Sequence, residues 1–334
     1  MLTKRQKTQW LRPIVFGLLS FVLCPLSAKP QPKATLSTER EQQFSYYWYA
    51  AKQAIQQERY ADAYVQLQMC EQLKPEDGAT QSFLGTMYDA MGDNERALAA
   101  YERAFHSNPH DYWKRYTAAL LDQQTDAARR QALEVLQQAH RVNSRDEDLL
   151  EQLRQLDIFF SEYKQALKIQ DEIDAIRGYD VYSAYNRVNT YAVWAKPKRA
   201  IQEVDRWLEN EPNNIQFLLY RIELMERSGA RVKDLYEVYE RILRIDPNHL
   251  TVLNNYAYLL ATHGGDLRKA EQMSQTTIRR EPNNPVYLDT YGWIMHLQGQ
   301  DQLALFYLRK ALSNSSGEER YEIEKHLREV NSEK

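Results

Sequence analysis

The histidines are the side chains in this sequence best suited to metal binding or proton transfer. His106 and His110 are the closest pair, four residues apart, a spacing that places two side chains on one face of a helix. Pro109 lies between them, however, and a proline there interrupts the helix. The remaining histidines are scattered singly along the chain, at His140, His249, His263, His296 and His326. The sequence therefore predicts no metal site.

Motifs for cofactor binding or catalysis are also missing from the sequence. The chain has no H-E-x-x-H, C-x-x-C, G-x-G-x-x-G or phosphate-binding loop. Glu and Asp occur throughout, as expected on solvated helices, so no acid–base pair can be singled out. We therefore predict a protein that is not an enzyme and holds no cofactor. The alternative is a hydrolase with a concealed groove site, in which His296 would act with Asp289.

The composition indicates an all-α protein. The 334 residues include only 11 glycines and 11 prolines, whereas Gln, Ala, Leu, Glu and Arg, which favour helices, are abundant. The formal net charge is −3, and the first 28 residues contribute four basic residues and no acidic one. A chain with this excess of acidic residues is poorly suited to bind phosphates, so we expect no nucleic-acid partner.

The N-terminal sequence is typical of a secretory signal peptide, residues 1–28. Basic residues precede an apolar run at 14–24, and Ala28 provides a small residue for cleavage. The run is shorter than the roughly 20 residues of a membrane-spanning helix. We expect cleavage after Ala28; a retained anchor or a lipid anchor at Cys24 is the alternative. The mature protein would begin with a polar linker, residues 29–40, and reside in the periplasm or at the periplasmic face of the envelope.

A small residue recurs at a nearly constant interval along the rest of the chain. The interval is 34 or 35 residues, and a proline follows five of the positions after twelve residues. Seven of the eight positions are alanine and the sixth is leucine: Ala63, Ala97, Ala132, Ala166, Ala200, Leu235, Ala270 and Ala304. The prolines are Pro75, Pro109, Pro212, Pro247 and Pro282. A period of this length in helical sequence indicates stacked helical hairpins. Each hairpin has an apolar face that only a neighbouring hairpin can cover.

Residues 82–109 contain the clearest repeat. They carry the marked residues of a tetratricopeptide repeat: Leu84, Gly85, Tyr88, Gly92, Ala97, Tyr101, Ala104 and Pro109. The chain thus resembles tetratricopeptide repeat (TPR) proteins, and with its signal sequence it is similar to exported cell-envelope members from Gram-negative bacteria. The resemblance implies a right-handed superhelical solenoid of about eight hairpins with a C-terminal capping helix. The array would span 41–312, with units near 44–77, 78–111, 113–146, 147–180, 181–214, 216–249, 250–284 and 285–318, and the cap and tail would occupy 317–334.

Two of the departures from the family pattern concern residues inside the second helix of a unit. Gln170 occupies a position at which the family usually has a large apolar residue, which predicts a weaker joint or a change of curvature in the fourth unit. Cys70, the one cysteine after the signal peptide, stands where the family has alanine. We therefore predict that Cys70 is a buried, unreactive thiol.

The resemblance also implies a ligand groove along the concave face of the array, lined by the first helix of each unit. Aromatic rings would supply contact area, while amide and guanidinium groups would pair with a partner backbone. The candidate groove residues are Tyr182, Tyr185, Asn189, Phe217, Tyr220, Arg221, Tyr258 and Trp293. The alternative is that these rings only fill space between helices.

The predicted function is a non-catalytic scaffold or adaptor of the bacterial cell envelope. It would bind an extended peptide or a partner helix from one or more proteins in the concave groove. A self-associating structural component of an envelope assembly is an alternative, as is the hydrolase described above.

Overall fold

The computed structural model describes residues 38–332, and within this range the chain forms seventeen α-helices and no strand. This confirms the all-α fold class. None of these helices is long and apolar enough to cross a membrane. The helices are α1 (Thr38–Gln56), α2 (Tyr60–Leu73), α3 (Gly78–Ala90), α4 (Asn94–Ser107), α5 (Pro109–Asp122), α6 (Asp126–Val142), α7 (Glu147–Phe159), α8 (Tyr163–Arg177), α9 (Val181–Val193), α10 (Pro197–Asn210), α11 (Ile215–Arg227), α12 (Val232–Ile245), α13 (Leu250–Thr262), α14 (Leu267–Arg280), α15 (Pro285–Leu297), α16 (Asp301–Asn314) and α17 (Glu319–Ser332).

The predicted signal peptide, with Cys24, and residues 29–37 of the predicted linker lie outside the described range. The rest of the predicted linker differs from the expectation, because α1 already begins at Thr38. Acidic residues in the first turn, Glu39 and Glu41, favour a helix start at this place, since the N-terminal end of a helix attracts negative charge.

The chain divides into two compact units, of which the first contains α1 and α2 and the second contains α3 to α17. In the first unit, Ala51 and Ala54 of α1 and Ala63 and Leu67 of α2 are buried. The thiol of Cys70 is fully buried and forms no disulfide, as the sequence predicted.

In the second unit each helix packs against the next helix along the chain. We call α3, α5, α7, α9, α11, α13 and α15 the first helices, because each begins a helix–turn–helix pair. First helices also pack on one another where α3 meets α5 and where α13 meets α15. One apolar core continues from Ala184 in α9 to Val330 in α17. Contacts therefore run from neighbour to neighbour, as they must in a stack of helix pairs.

Small residues allow the two helices of a pair to approach closely. A Cβ atom on Gly85 would lie 2.5 Å from the ring of Tyr101, and one on Gly292 would lie 2.8 Å from Cγ of Leu308. The recurring alanines are buried at the same crossings, with Ala97 only 1% exposed. The 34-residue pattern therefore marks the places at which the backbones leave no room for a larger side chain.

The joint between α8 and α9 is polar. Gln170 is 1% exposed, and its Nε2 donates to Oδ1 of Asp174 at 2.8 Å. Oδ1 of Asp174 also accepts from Ser183, while Nη2 of Arg187 lies 2.5 Å from Oδ2. Burial alone would raise the pKa of Asp174, but hydrogen bonds from Ser183, Arg187 and Gln170 outweigh it and hold the pKa below the usual range. The departure at Gln170 thus belongs to a hydrogen-bonded network.

A second buried carboxyl, that of Asp157 near the end of α7, lacks hydrogen bonds of this kind. Its side chain is 1% exposed, and Oδ2 has no hydrogen-bond partner in the described chain. Burial, followed by the charge of Glu162, raises the pKa of Asp157 to about 7. Transfer of an ionised carboxylate from water to this site is unfavourable. Asp157 therefore keeps its proton in the folded state up to about pH 7.

The last helix, α17, packs against α15 and α16. It buries Ile323, His326 and Val330 and leaves most of its polar residues outward. A helix with one apolar stripe can cover the exposed side of the last pair while keeping the end of the stack soluble.

The crossing at Ala97 gives a first prediction. Ala97→Trp places a large side chain where the backbones of α3 and α4 leave no space, so we expect a loss of about 1–3 kcal/mol and a lower melting temperature. Glu95→Trp, at an exposed position of the same helix, is the matched control. Thermal unfolding followed by circular dichroism measures both variants, and equal melting temperatures for the two would contradict the assigned crossing.

Asp157 gives a second prediction, on the dependence of stability on pH. Between the ordinary aspartate pKa of 3.8 and the folded-state pKa of about 7, Asp157 holds a proton in the folded state that the unfolded state has released. The free energy of unfolding therefore falls as pH rises through this window. Asp157→Asn should remove this loss, so that urea unfolding finds the variant more stable than the parent at pH 8 but much closer to it at pH 5. Asp122→Asn, at an exposed position, should leave the pH dependence unchanged.

Candidate functional site

The first helices α9, α11, α13 and α15 line a face of the second unit that contains two cavities. The smaller, of about 180 Å³, lies between α9 and α11. The larger, of about 610 Å³, lies among α11, α13, α15 and α17 and also reaches Tyr239 of α12. Glu223 of α11 borders both. The two cavities are thus neighbouring parts of one groove, which we call the first-helix groove.

The structure brings three of the predicted groove residues together at the α9–α11 end. The rings of Tyr185 and Tyr220 lie 5.8 Å apart, and Asn189 lines the smaller cavity beside Tyr220. Tyr182, also on α9, is 68% exposed and Tyr185 is 42% exposed. Tyr258 is separate from this group and lines the larger cavity. These side chains are accessible to a partner.

Phe217 and Trp293 require a correction, because both are buried by other helices. Phe217 is 2% exposed and its ring lies 5.7 Å from that of Trp207 on α10. Trp293 is 8% exposed and stacks on His326 of α17, with 4.3 Å between ring centroids. Both rings fill space between helices, as the alternative for this face supposed.

Arg221 also differs from the expectation. Its Nε donates to Oδ1 of Asp205 on α10 at 2.8 Å, and its Nη1 lies 3.0 Å from Sδ of Met225. The guanidinium group thus joins α11 to the second helix of the preceding pair. It contributes to the helix packing and is not directed into either cavity.

The two residues of the hydrolase alternative have different partners. Both carboxylate oxygens of Asp289 lie near Nδ1 of His326, at 2.9 and 3.0 Å. Nδ1 of His296 instead lies 2.8 Å from Oδ1 of Asp301. The structure therefore does not form the His296–Asp289 pair that this alternative requires. No group of three or more potential ligands for a metal ion occurs in residues 38–332.

Several residues of the larger cavity were not among the predicted groove residues. Asn254 is 3% exposed, and its Oδ1 has no hydrogen-bond partner in the described chain. Glu223 and Glu226 are three residues apart on α11, and α17 contributes Glu319 and Glu322 from another side. The spacing of Glu223 and Glu226 was visible in the sequence, since residues at i and i+3 share a helix face. The contribution of α17 was not visible, because it depends on where that helix packs.

The electrostatic character of the larger cavity is acidic. Its described lining contains neither lysine nor arginine. It does contain five carboxylates, those of Glu223, Glu226, Asp289, Glu319 and Glu322. Burial raises the pKa of Glu226, and the nearby charge of Glu223 raises it further. Apolar walls from Leu219, Ile222 and Leu259 complete the cavity.

Comparison with known proteins identifies the helix pair. The tetratricopeptide repeat family model matches residues 81–111, which include most of α3 and all of α4. No curated relative matches the chain at a significant level.

Several solved structures are similar to this chain. A tetratricopeptide repeat protein from Parabacteroides merdae is 13% identical, with 86% of this chain and 99% of that chain covered and a TM-score of 0.40. The C-terminal part of a repeat protein from Cytophaga hutchinsonii is 18% identical, with 74% and 98% covered and a TM-score of 0.48. YrrB, described as a TPR protein with an unusual peptide-binding site, is 17% identical, with 59% and 100% covered and a TM-score of 0.43.

Three features of the chain identify its repeating helix pair. Residues 81–111 match the family model, helix pairs follow one another through the second unit, and small residues recur at 34 or 35 residues at their crossings. Residues 81–111 therefore form a tetratricopeptide repeat, and the chain as a whole is similar to tetratricopeptide repeat proteins.

Proposed function

We propose that the protein is a non-catalytic interaction scaffold that holds an extended segment of a partner protein in the first-helix groove. The observation that carries the proposal is the groove itself, in which Tyr220, beside the accessible ring of Tyr185, lines the smaller of two neighbouring cavities. Stacked helix pairs of this family are typically used to present such surfaces. A groove lined by apolar walls and a few polar groups suits a peptide.

The chemistry of the groove supports a peptide ligand. Tyrosine rings present a large contact area and lose little conformational freedom on binding, since only two torsions must be fixed. The amide of Asn189 lies beside them and can exchange hydrogen bonds with a peptide backbone. Side chains that already pack against other helices, such as Phe217, would support the groove without touching the ligand.

We further propose that the scaffold works in the periplasm or at the periplasmic face of a bacterial envelope. The support is the sequence of residues 1–28, with its basic start, apolar run and small residue at the expected cleavage point. The partner would then be another envelope protein.

The tyrosine pair provides a test of the groove. A photo-crosslinking residue at position 182, on the exposed rim, should capture a partner in cells, whereas the same residue at position 306 on α16 should not capture it. Tyr185→Ala together with Tyr220→Ala should weaken binding of the captured partner at least about tenfold, because tyrosines are enriched among the central interface residues whose truncation costs about 2 kcal/mol or more. Helical circular dichroism should be unchanged.

Phe306→Ala is the control for this test, since Phe306 is an exposed aromatic residue, 61% exposed, outside the groove. Unchanged partner affinity in the double tyrosine variant would place the binding surface elsewhere on the molecule.

The location can be tested separately by expressing the full chain in a Gram-negative host. We expect the protein in the periplasmic fraction, with Lys29 as its first residue by mass spectrometry. A lipid-modified Cys24 at the N-terminus or retention of residues 1–28 in the membrane fraction would support the anchored alternatives. Intact chain in the cytoplasm would overturn the proposed export.

A further inference from the structure

The larger cavity of the first-helix groove has an acidic lining. Carboxylates reach it from α11, α15 and α17, and its described lining contains no lysine or arginine. Glu223 and Glu226 stand on one face of α11, so their charges repel. A cation in the cavity would relieve this repulsion.

Most of these carboxylates already have partners within the protein, but one does not. The pairs are Asp289 with His326 at 2.9 Å, Glu319 with the backbone amides of Ser316 and Gly317 at 3.1 Å, Glu322 with Lys325 at 3.2 Å and Glu223 with Arg227 at 3.7 Å. No hydrogen bond or ion pair joins the carboxylate of Glu226 to any side chain between residues 38 and 332. Glu226 therefore remains available to a ligand, and the long Glu223–Arg227 pair is readily exchanged.

Asn254 supplies an independent indication of a ligand. Its side chain lines the same cavity and is 3% exposed, yet its Oδ1 accepts no hydrogen bond within the described chain. Its Nδ2 makes only a long contact of 3.4 Å with Oδ1 of Asn255. A buried acceptor without a donor is unfavourable, so this atom is suited to receive an N–H group from outside the protein.

The remaining walls suit the aliphatic part of a long basic side chain. Leu219, Ile222 and Leu259 are apolar, and the rings of Tyr239 and Tyr258 border the same space. Methylene groups can pack on such walls, while the π faces of the tyrosines attract a positive charge. The volume of about 610 Å³ is within the range of ligand cavities in proteins.

We propose that this cavity is a specificity pocket for a basic side chain, preferably arginine, of the partner segment. Glu226 and Glu223 would pair with the charge and Oδ1 of Asn254 would accept an N–H hydrogen bond. Arginine is preferred over lysine because its planar group offers five N–H donors in several directions. The inference rests on the proposed peptide-binding function and adds to it the chemistry by which a partner is selected.

The test is a selection of random peptides on the purified protein, with the parent protein and three variants run in parallel. The parent should enrich peptides with Arg or Lys at one fixed position. Glu226→Gln combined with Glu223→Gln should lose this enrichment, whereas Glu209→Gln, an exposed acidic residue of α10 outside the cavity, should keep it. Tyr185→Ala with Tyr220→Ala should bind fewer peptides overall.

The affinities of one selected peptide then show whether its Arg interacts with the carboxylates of Glu223 and Glu226. Replacement of its Arg by Gln should weaken binding to the parent roughly tenfold, as expected for a hydrogen bond to a charged group. The same replacement should have little effect on binding to the Glu226→Gln and Glu223→Gln variant, since the effects of groups that interact are not additive. Added salt should weaken the parent complex more than the variant complex.

The possible failures can be distinguished. Peptides that depend on the tyrosine pair but show no basic preference would overturn the basic pocket and leave the peptide groove intact. Enrichment of acidic peptides would also overturn it. A selection that enriches no peptide at all would contradict both the pocket and the proposed function.

Discussion

The close crossing of two helices over a small residue is the constraint on which this structure depends. The ring of Tyr101 packs directly on the backbone of Gly85, and the side chain of Leu308 packs directly on the backbone of Gly292. A pair that crosses so closely has apolar residues left on its outer sides, and these are buried only when another pair packs there. From α9 to α17 the core is therefore continuous, while α9 keeps exposed side chains such as Tyr182 and Tyr185 that packing does not require.

The fold could be predicted from sequence because this constraint recurs at a fixed interval. Small residues that recur every 34 or 35 positions, such as Ala63 and Ala97, mark the places at which two helices cross closely. The resemblance to tetratricopeptide repeat proteins placed the tyrosines of α9 and α11 on the groove face. It could not determine what covers that face. Phe217 is covered by Trp207 and Trp293 by His326, and both partners belong to other helices.

The hydrogen-bonded network around Gln170 could not be predicted from the sequence. The pattern showed that Gln170 replaces an apolar residue, but Asp174, Ser183 and Arg187 share no motif that would indicate a network. Its existence depends on distances across the α8–α9 joint. The acidic character of the larger cavity was hidden for the same reason, because it arises only when carboxylates from α11 and α17 approach one space.

The position of α17 has a consequence for assembly. Its His326 is 3% exposed, joined to Asp289 and stacked on Trp293, so the helix is attached to α15 by both polar and aromatic contacts. Open-ended stacks can lengthen into fibres when the last surface of one molecule matches the first surface of another. Here a second molecule would first have to displace α17 and leave the Asp289 carboxylate without its imidazole. The docked helix therefore occupies the surface on which a further helix pair would otherwise pack.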